Sequence, residues 1–167
     1  MPITQGMRFF ILLVLSALIP VARPQVIDPR FAELKRLTGN WQASVGTKET
    51  VIHLNLELIS NNSALVETFT TSSGHKTLTI FHPDGNRLLA THYCAQGNQP
   101  RLALDPSSPP AEMTFRFLDA TNLHSKEDAH LVRLVLHIRD NDHFDQTEVY
   151  TVSGRENVTT YHFARTG

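Results

Sequence analysis

Apolar and polar residues alternate along most of the chain with a period of two. "VIHLNLEL" sets Ile52, Leu54, Leu56 and Leu58 against Val51, His53, Asn55 and Glu57. "LVETFTT", "KTLTIFH", "RLLATHYC", "MTFRFLD", "LVRLVLHIR", "HFDQTEVYTV" and "VTTYHFAR" follow in the same manner. A period of two belongs to β-strands, whose successive side chains point to opposite faces. The turn segments "SNNSA", "SSGH", "PDGN" and "SGREN" separate these runs at hairpin length. The pattern therefore predicts about nine or ten short antiparallel strands. No helical period intervenes between consecutive strands, which excludes a parallel α/β sheet.

One helix precedes the strands. In "DPRFAELKRLTGNW", Asp28 is placed to cap it and Pro29 to occupy its first position. Phe31, Leu34 and Leu37 share a face, and Gly39 ends the element. Trp41 opens the first strand and is expected to plug one end of the fold. A helix followed by an up-and-down meander points to an all-β class. The expected architecture is a closed antiparallel β-barrel of about 8–10 strands with a short N-terminal helix. Such a barrel is either packed inside or holds one small ligand.

The first residues follow a different pattern. Arg8 precedes an apolar run from Phe9 to Ile19, then come Pro20 and small residues. This is the layout of a secretory signal, and the run is shorter than the roughly 20 residues of a spanning helix. Residues 1–25 are read as a signal peptide and 26–167 as one barrel domain. The protein is expected to be exported, periplasmic or extracellular, with no stable membrane insertion after cleavage. Removing Arg8 and Arg23 leaves 13 basic residues against 16 acids. This balance argues against nucleic acid or an anionic membrane as the main partner. A single cysteine, Cys94, excludes an internal disulfide.

"LTGNWQA" after a short helix resembles the Gly-x-Trp entry of the calycin superfamily, which includes lipocalins, fatty-acid-binding proteins and nitrobindin-like barrels. "VET", "FHPDGNRLLATHYCAQGNQPR", "DATNL", "DAH" and "DHF" resemble an uncharacterised exported bacterial family with a calycin (lipocalin-like) barrel. That similarity runs from about Leu37 to about Phe163. It implies a barrel that binds a small ligand and carries no established reaction. The chain departs from the family pattern at "QTEVYTV", where a tryptophan-rich strand is expected.

Candidate chemistry centres on "THYCAQGNQPR", residues 91–101. Alternation puts Leu88, Ala90, His92 and Cys94 on one face. Glu67 shares a face with Leu65 and Phe69, and His82 with Leu78 and Ile80. Catalysis by Cys94 with His92 as base is one reading, but side chains two apart on a strand run parallel and do not form a short nucleophile–base contact. Cys94 is read instead as a small packing residue. The nine histidines include no His-x-His or HExxH pair, so they are read as hydrogen-bonding residues rather than metal ligands. No metal or cofactor is expected.

A polar ligand pocket is the third reading. Asn98 and Gln99 carry amides, and Arg101 carries a planar fork suited to an acid. A loop at the barrel mouth would aim Gln99 and Arg101 inward. In the alternative, Arg101 pairs with Asp119 or Glu67 as a structural contact. An inward Glu67 needs a partner such as Arg101. The candidate ligand set is His92, Gln99, Arg101, Asn98, Cys94, Glu67 and His82, with no catalytic residue assigned. Trp41, Phe69, Phe115, Phe117, Tyr150, Tyr161 and Phe163 are expected in the core or pocket wall. The expected partner is a small hydrophobic or amphipathic organic molecule. The alternatives are a hydrolase or isomerase built on His92, Gln99 and Arg101, or a nitrobindin-like haem barrel with His162 or His137 as axial ligand.

Overall fold

The computed structural model describes residues 28–45, 50–109 and 111–166. The expected signal peptide lies outside the described residues. A helix α1 (Arg30–Lys35) precedes β1 (Gly39–Val45), β2 (Thr50–Ile59), β3 (Ala64–Thr71), β4 (Lys76–Asp84) and β5 (Arg87–Tyr93). Then follow β6 (Gln99–Leu104), β7 (Glu112–Thr121), β8 (His130–Ile138), β9 (His143–Val152) and β10 (Arg155–Arg165). Each strand pairs antiparallel with its neighbour in sequence, and β1 pairs with β10, so the sheet closes. The expected closed up-and-down barrel is the observed fold.

Alternation decides which residues enter the barrel. Ile52, Leu54 and Leu56 of β2 are buried, while His53, Asn55 and Glu57 face solvent. Registers shift at two points, leaving Leu118 of β7 and Val132 of β8 without direct partners. The first bulge sets Asp119 opposite Arg101 on the outer face.

The helix closes one end. Arg30 reaches the carbonyl of Asp105 in the β6–β7 loop (3.2 Å), and Arg36 reaches Asn141 in the β8–β9 loop (2.6 Å). Phe31, Leu34 and Leu37 are buried below the strands. The helix stops at Lys35, earlier than Gly39, and Leu37 sits in the tightened turn after it, its N–H bonded to the Leu34 carbonyl. The helix starts at Arg30 with Pro29, not Asp28, at the N-cap position, and Asp28 takes the Arg30 backbone N–H at 2.9 Å from one residue further out.

Trp41 plugs this end as expected. Its indole N–H donates to the Leu37 carbonyl at 2.7 Å, and its ring meets Phe144 edge-on at 4.8 Å. The Arg165 guanidinium lies 4.1 Å from the Trp41 ring centre and donates to the Thr38 carbonyl at 2.8 Å. Gly39 has φ +131°, and a Cβ there would lie 2.6 Å from Arg165 Nη1. The Gly-x-Trp spacing thus seats an indole under a cation while leaving room for that cation's fork.

Candidate ligand-binding site

Inward-facing side chains become more exposed toward the end opposite α1. On β5, Leu88, Ala90 and His92 are buried and Cys94 is half-buried. On β7, Met113 and Phe115 are sealed and Phe117 is half-buried. On β10, Phe163 is buried, Tyr161 and Thr159 are half-buried and Asn157 is exposed. β3 and β9 repeat the trend, from Leu65 to Phe69 and from Phe144 to Tyr150. Five strands thus grow more exposed toward that end, while Leu54 and Ile52 of β2, Leu134 and Leu131 of β8 and Leu102 of β6 stay sealed.

A belt of polar residues lies between the apolar plug and this open end. Glu67, Thr79 and His92 stand directly opposite one another on β3, β4 and β5. Gln146, Glu148 and Tyr150 face them from β9 across the barrel. Glu67 and His92 are each 2% exposed, and Gln146 is fully buried. Polar groups at such depth must bond to each other. The Gln146 amide donates to Oε1 of Glu67 and to Oε1 of Glu148, both at 3.1 Å. The Thr79 hydroxyl donates to Glu67 at 3.4 Å and lies 3.0 Å from His92 Nδ1. Tyr150 lies 3.0 Å from His92 Nε2.

Donor capacity fixes the direction of this chain. Thr79 spends its proton on Glu67, so its oxygen accepts from His92 Nδ1–H. His92 Nε2 then accepts from the Tyr150 hydroxyl. The Cys94 sulfur takes the Gln96 backbone N–H at 3.4 Å.

Burial sets the charge state of the belt. It pushes Glu67 up to about 8; the charge of Glu148 adds to this, while the bonds from Gln146 and Thr79 oppose it. It pushes Glu148 up to about 7, against the bond from Gln146. It pushes His92 down to about 4, so the imidazole is neutral at pH 7. Tyr161 rises to about 12 and Tyr150 rises further, so both phenols keep their protons. Oε1 of Gln146 has no hydrogen-bond partner despite complete burial.

The expected ligand set divides. His92, Cys94 and Glu67 face the interior, and Tyr150 meets His92 there. Asn98 is buried in the β5–β6 loop at the open rim, where it donates to the Ala129 carbonyl at 2.8 Å. Gln99 and Arg101 do not aim inward. Strand parity after Pro100 turns them out, where Gln99 takes the Thr121 hydroxyl and Arg101 grips Asp119 through Nε at 2.6 Å. Glu67 therefore has no arginine partner and is held as a largely neutral acid instead. His82 is also outside, near the closed end, and bonds to the Pro83 carbonyl at 3.1 Å.

The enzyme reading that grouped His92 with Gln99 and Arg101 loses its geometry, because the barrel wall separates them. The haem reading through His137 or His162 loses its ligands in the same way. Both histidines lie on the outer face beside Asp145, with His162 Nδ1 2.7 Å from its carboxylate. Among the described residues, no group of three His, Cys, Asp or Glu side chains is arranged to hold a metal ion.

Thr79, Gln146 and Glu148 were not read as site residues from the sequence, and Tyr150 and Tyr161 were read only as wall. "HFDQTEVYTV" places Phe144, Gln146, Glu148 and Tyr150 on one face, but its other face carries His143, Asp145, Thr147 and Thr151 around a single apolar Val149. Both faces are polar, so alternation alone gives no inward side. Phe144 at the strand's start is the signal that resolves it.

No family model matches the chain, and no curated protein is significantly similar to it. Among solved structures it is similar to the crystal structure of Rv2717c from M. tuberculosis, with a TM-score of 0.55 at 14% identity. The match covers 84% of this chain and 99% of that one. At that identity the likeness concerns the fold alone.

Proposed function

We propose that the protein binds a small organic molecule in the open half of the barrel, and that it does so as an exported protein. One observation carries the binding reading: a buried polar belt faces an end of the barrel where inward side chains on five strands grow progressively exposed. A barrel that served only as a scaffold would gain nothing from two desolvated carboxyls and an unpaired amide oxygen, which cost stability. The apolar part of the ligand lies against Phe69, Phe117 and Leu131, and its polar part meets the belt. The experiment is titration with N-phenyl-1-naphthylamine, an uncharged dye that brightens in apolar surroundings. Saturable brightening is expected, and Thr77→Trp, which fills the mouth from β4, abolishes it. Brightening unchanged by Thr77→Trp places the dye elsewhere and sinks the proposal.

The directed chain from Tyr150 through His92 and Thr79 to Glu67 favours a second reading, proton transfer to or from a bound molecule. Turnover that is lost in His92→Phe while dye binding persists selects that reading over simple binding.

A further inference from the structure

The belt carries an unbalanced set of polar groups, and the imbalance speaks to ligand chemistry. Glu67 and Glu148 are both buried, and neither faces a cation. Among the described residues no Lys or Arg is buried. The donors of Gln146, Thr79 and Tyr150 are already committed: both Gln146 amide bonds go to the two carboxyls, Thr79 donates to Glu67, and Tyr150 donates to His92. Oε1 of Gln146, fully buried beside these carboxyls, receives no hydrogen bond at all. The belt thus holds an unpaired carbonyl oxygen and two carboxyls with no counter-ion for the charge they carry when ionised.

The neighbouring wall is aromatic. Phe69 follows Glu67 by two residues on the inward face of β3, and Tyr161 stands opposite Gln146 in the β9–β10 register. Their rings meet edge-on with centres 5.1 Å apart. Aromatic faces attract cations in desolvated sites. An acid or phosphate anion would find no buried cation to receive its charge and an unpaired carbonyl that repels it. A neutral alcohol could donate to the unpaired carbonyl but would leave the carboxyls without a counter-ion.

Building on the ligand-binding reading, we propose that the ligand is a small organic ammonium ion, a primary amine with an apolar or aromatic body, whose N–H groups bond to Glu67, Glu148 and Oε1 of Gln146. Its body rises along Phe69 and Tyr161 toward the open end.

Proton linkage gives the proposal its own signature. The titratable groups facing the cation are Glu67 from β3, His92 and Cys94 from β5, Glu148 and Tyr150 from β9, and Tyr161 from β10. Burial keeps both carboxyls largely protonated near pH 6.5, His92 neutral and both phenols intact. An ammonium ion entering the belt favours the ionised carboxyls, so binding expels protons.

The test is calorimetric titration of the whole protein near pH 6.5 with 2-phenylethylamine, 2-phenylethanol and 3-phenylpropanoate, in two buffers that differ in ionisation heat. The amine is expected to bind at least about tenfold tighter than the alcohol, with the carboxylate silent. Roughly one proton should leave per amine bound. Glu148→Gln should weaken the amine about tenfold or more, and Glu67→Gln provides the same comparison if that variant fails to fold. Equal or tighter binding of the alcohol or the carboxylate overturns the proposal, as does amine binding without proton release. If the amine does not bind while the uncharged naphthylamine dye still enters, the cation assignment falls and the ligand-binding reading stands. If the dye also fails, both fall. Zinc or calcium ions that raise the melting temperature where the amine does not, with the effect lost in Glu148→Gln, overturn it in favour of a metal site.

Discussion

Replacing Glu67 with glutamine should invert the order of stability across the pH range. The Glu67 carboxyl holds its proton up to about 8 in the fold, against an ordinary value of 4.5. The folded state therefore binds that proton more tightly than the unfolded chain does. Stability from this group is fully present below 4.5 and is lost as pH rises toward 8. Each pH unit in that window costs about 1.4 kcal/mol, which gives about 3 kcal/mol by pH 7 and about 5 kcal/mol by pH 9. His92 acts in the opposite sense over a lower range. Its value of about 4, against 6.5, makes stability rise with pH between those limits. Glu148 loses stability from 4.5 to about 7. These contributions overlap in the parent curve, and subtracting variant from parent isolates the part that depends on the Glu67 charge, including its coupling to Glu148. Glutamine keeps the size of Glu67 and cannot ionise. At pH 5 Glu67→Gln should be less stable by about 1 kcal/mol, because the amide N–H that replaces the acid O–H is the weaker donor. At pH 9 it should be more stable by several kcal/mol. Urea unfolding of both proteins at pH 5, 7 and 9 measures this, provided the slopes agree. A difference that does not change with pH, or a parent that remains the more stable at pH 9, would refute the claim that Glu67 is a desolvated acid without a cationic partner.

Three further outcomes follow from other parts of the barrel. Gly39→Ala should destabilise by about 1–3 kcal/mol in urea unfolding, since φ is +131° and the new Cβ meets Arg165 Nη1; a neutral result would mean that the Arg165 fork over Trp41 is not rigid. Arg101→Ala should leave both the melting temperature and dye binding as in the parent, because its pair with Asp119 is on the outer face and solvent-exposed; loss of dye binding would return Arg101 to the site. Cys94 faces the interior beside Tyr150, so its alkylation by N-ethylmaleimide should slow several-fold when the dye saturates the barrel, and an unchanged rate would place the ligand elsewhere.

The fold was legible because strand period and barrel closure depend on local alternation, which the chain writes plainly from Val51 to Phe163. Trp41 was legible as a plug through its spacing from Gly39 and from the apolar helix face. Half of the site was hidden for a physical reason. Glu67 and His92 could be placed on inward faces because Leu65, Phe69, Leu88 and Ala90 define those faces. Gln146 and Glu148 lie on a strand that is polar on both sides, and they come to Glu67 only when β9 curves round the closed barrel. Gln99 and Arg101 drew attention as versatile polar groups, yet strand parity on β6 turns them to solvent, where the bulge at Leu118 brings Asp119 opposite Arg101 and Thr121 bonds to Gln99. Residue chemistry nominated them, and geometry assigned that role to residues with less conspicuous neighbours.

The central claim is that the open half of the barrel receives a ligand, and amide and aromatic chemical-shift mapping tests it most directly. With the uncharged naphthylamine dye added to saturation, the largest shifts should fall on Phe69, His92, Phe117, Tyr150 and Tyr161, with Arg101, His82 and His162 unmoved. Shifts confined to the outer face, or none at all at saturating dye, would contradict it.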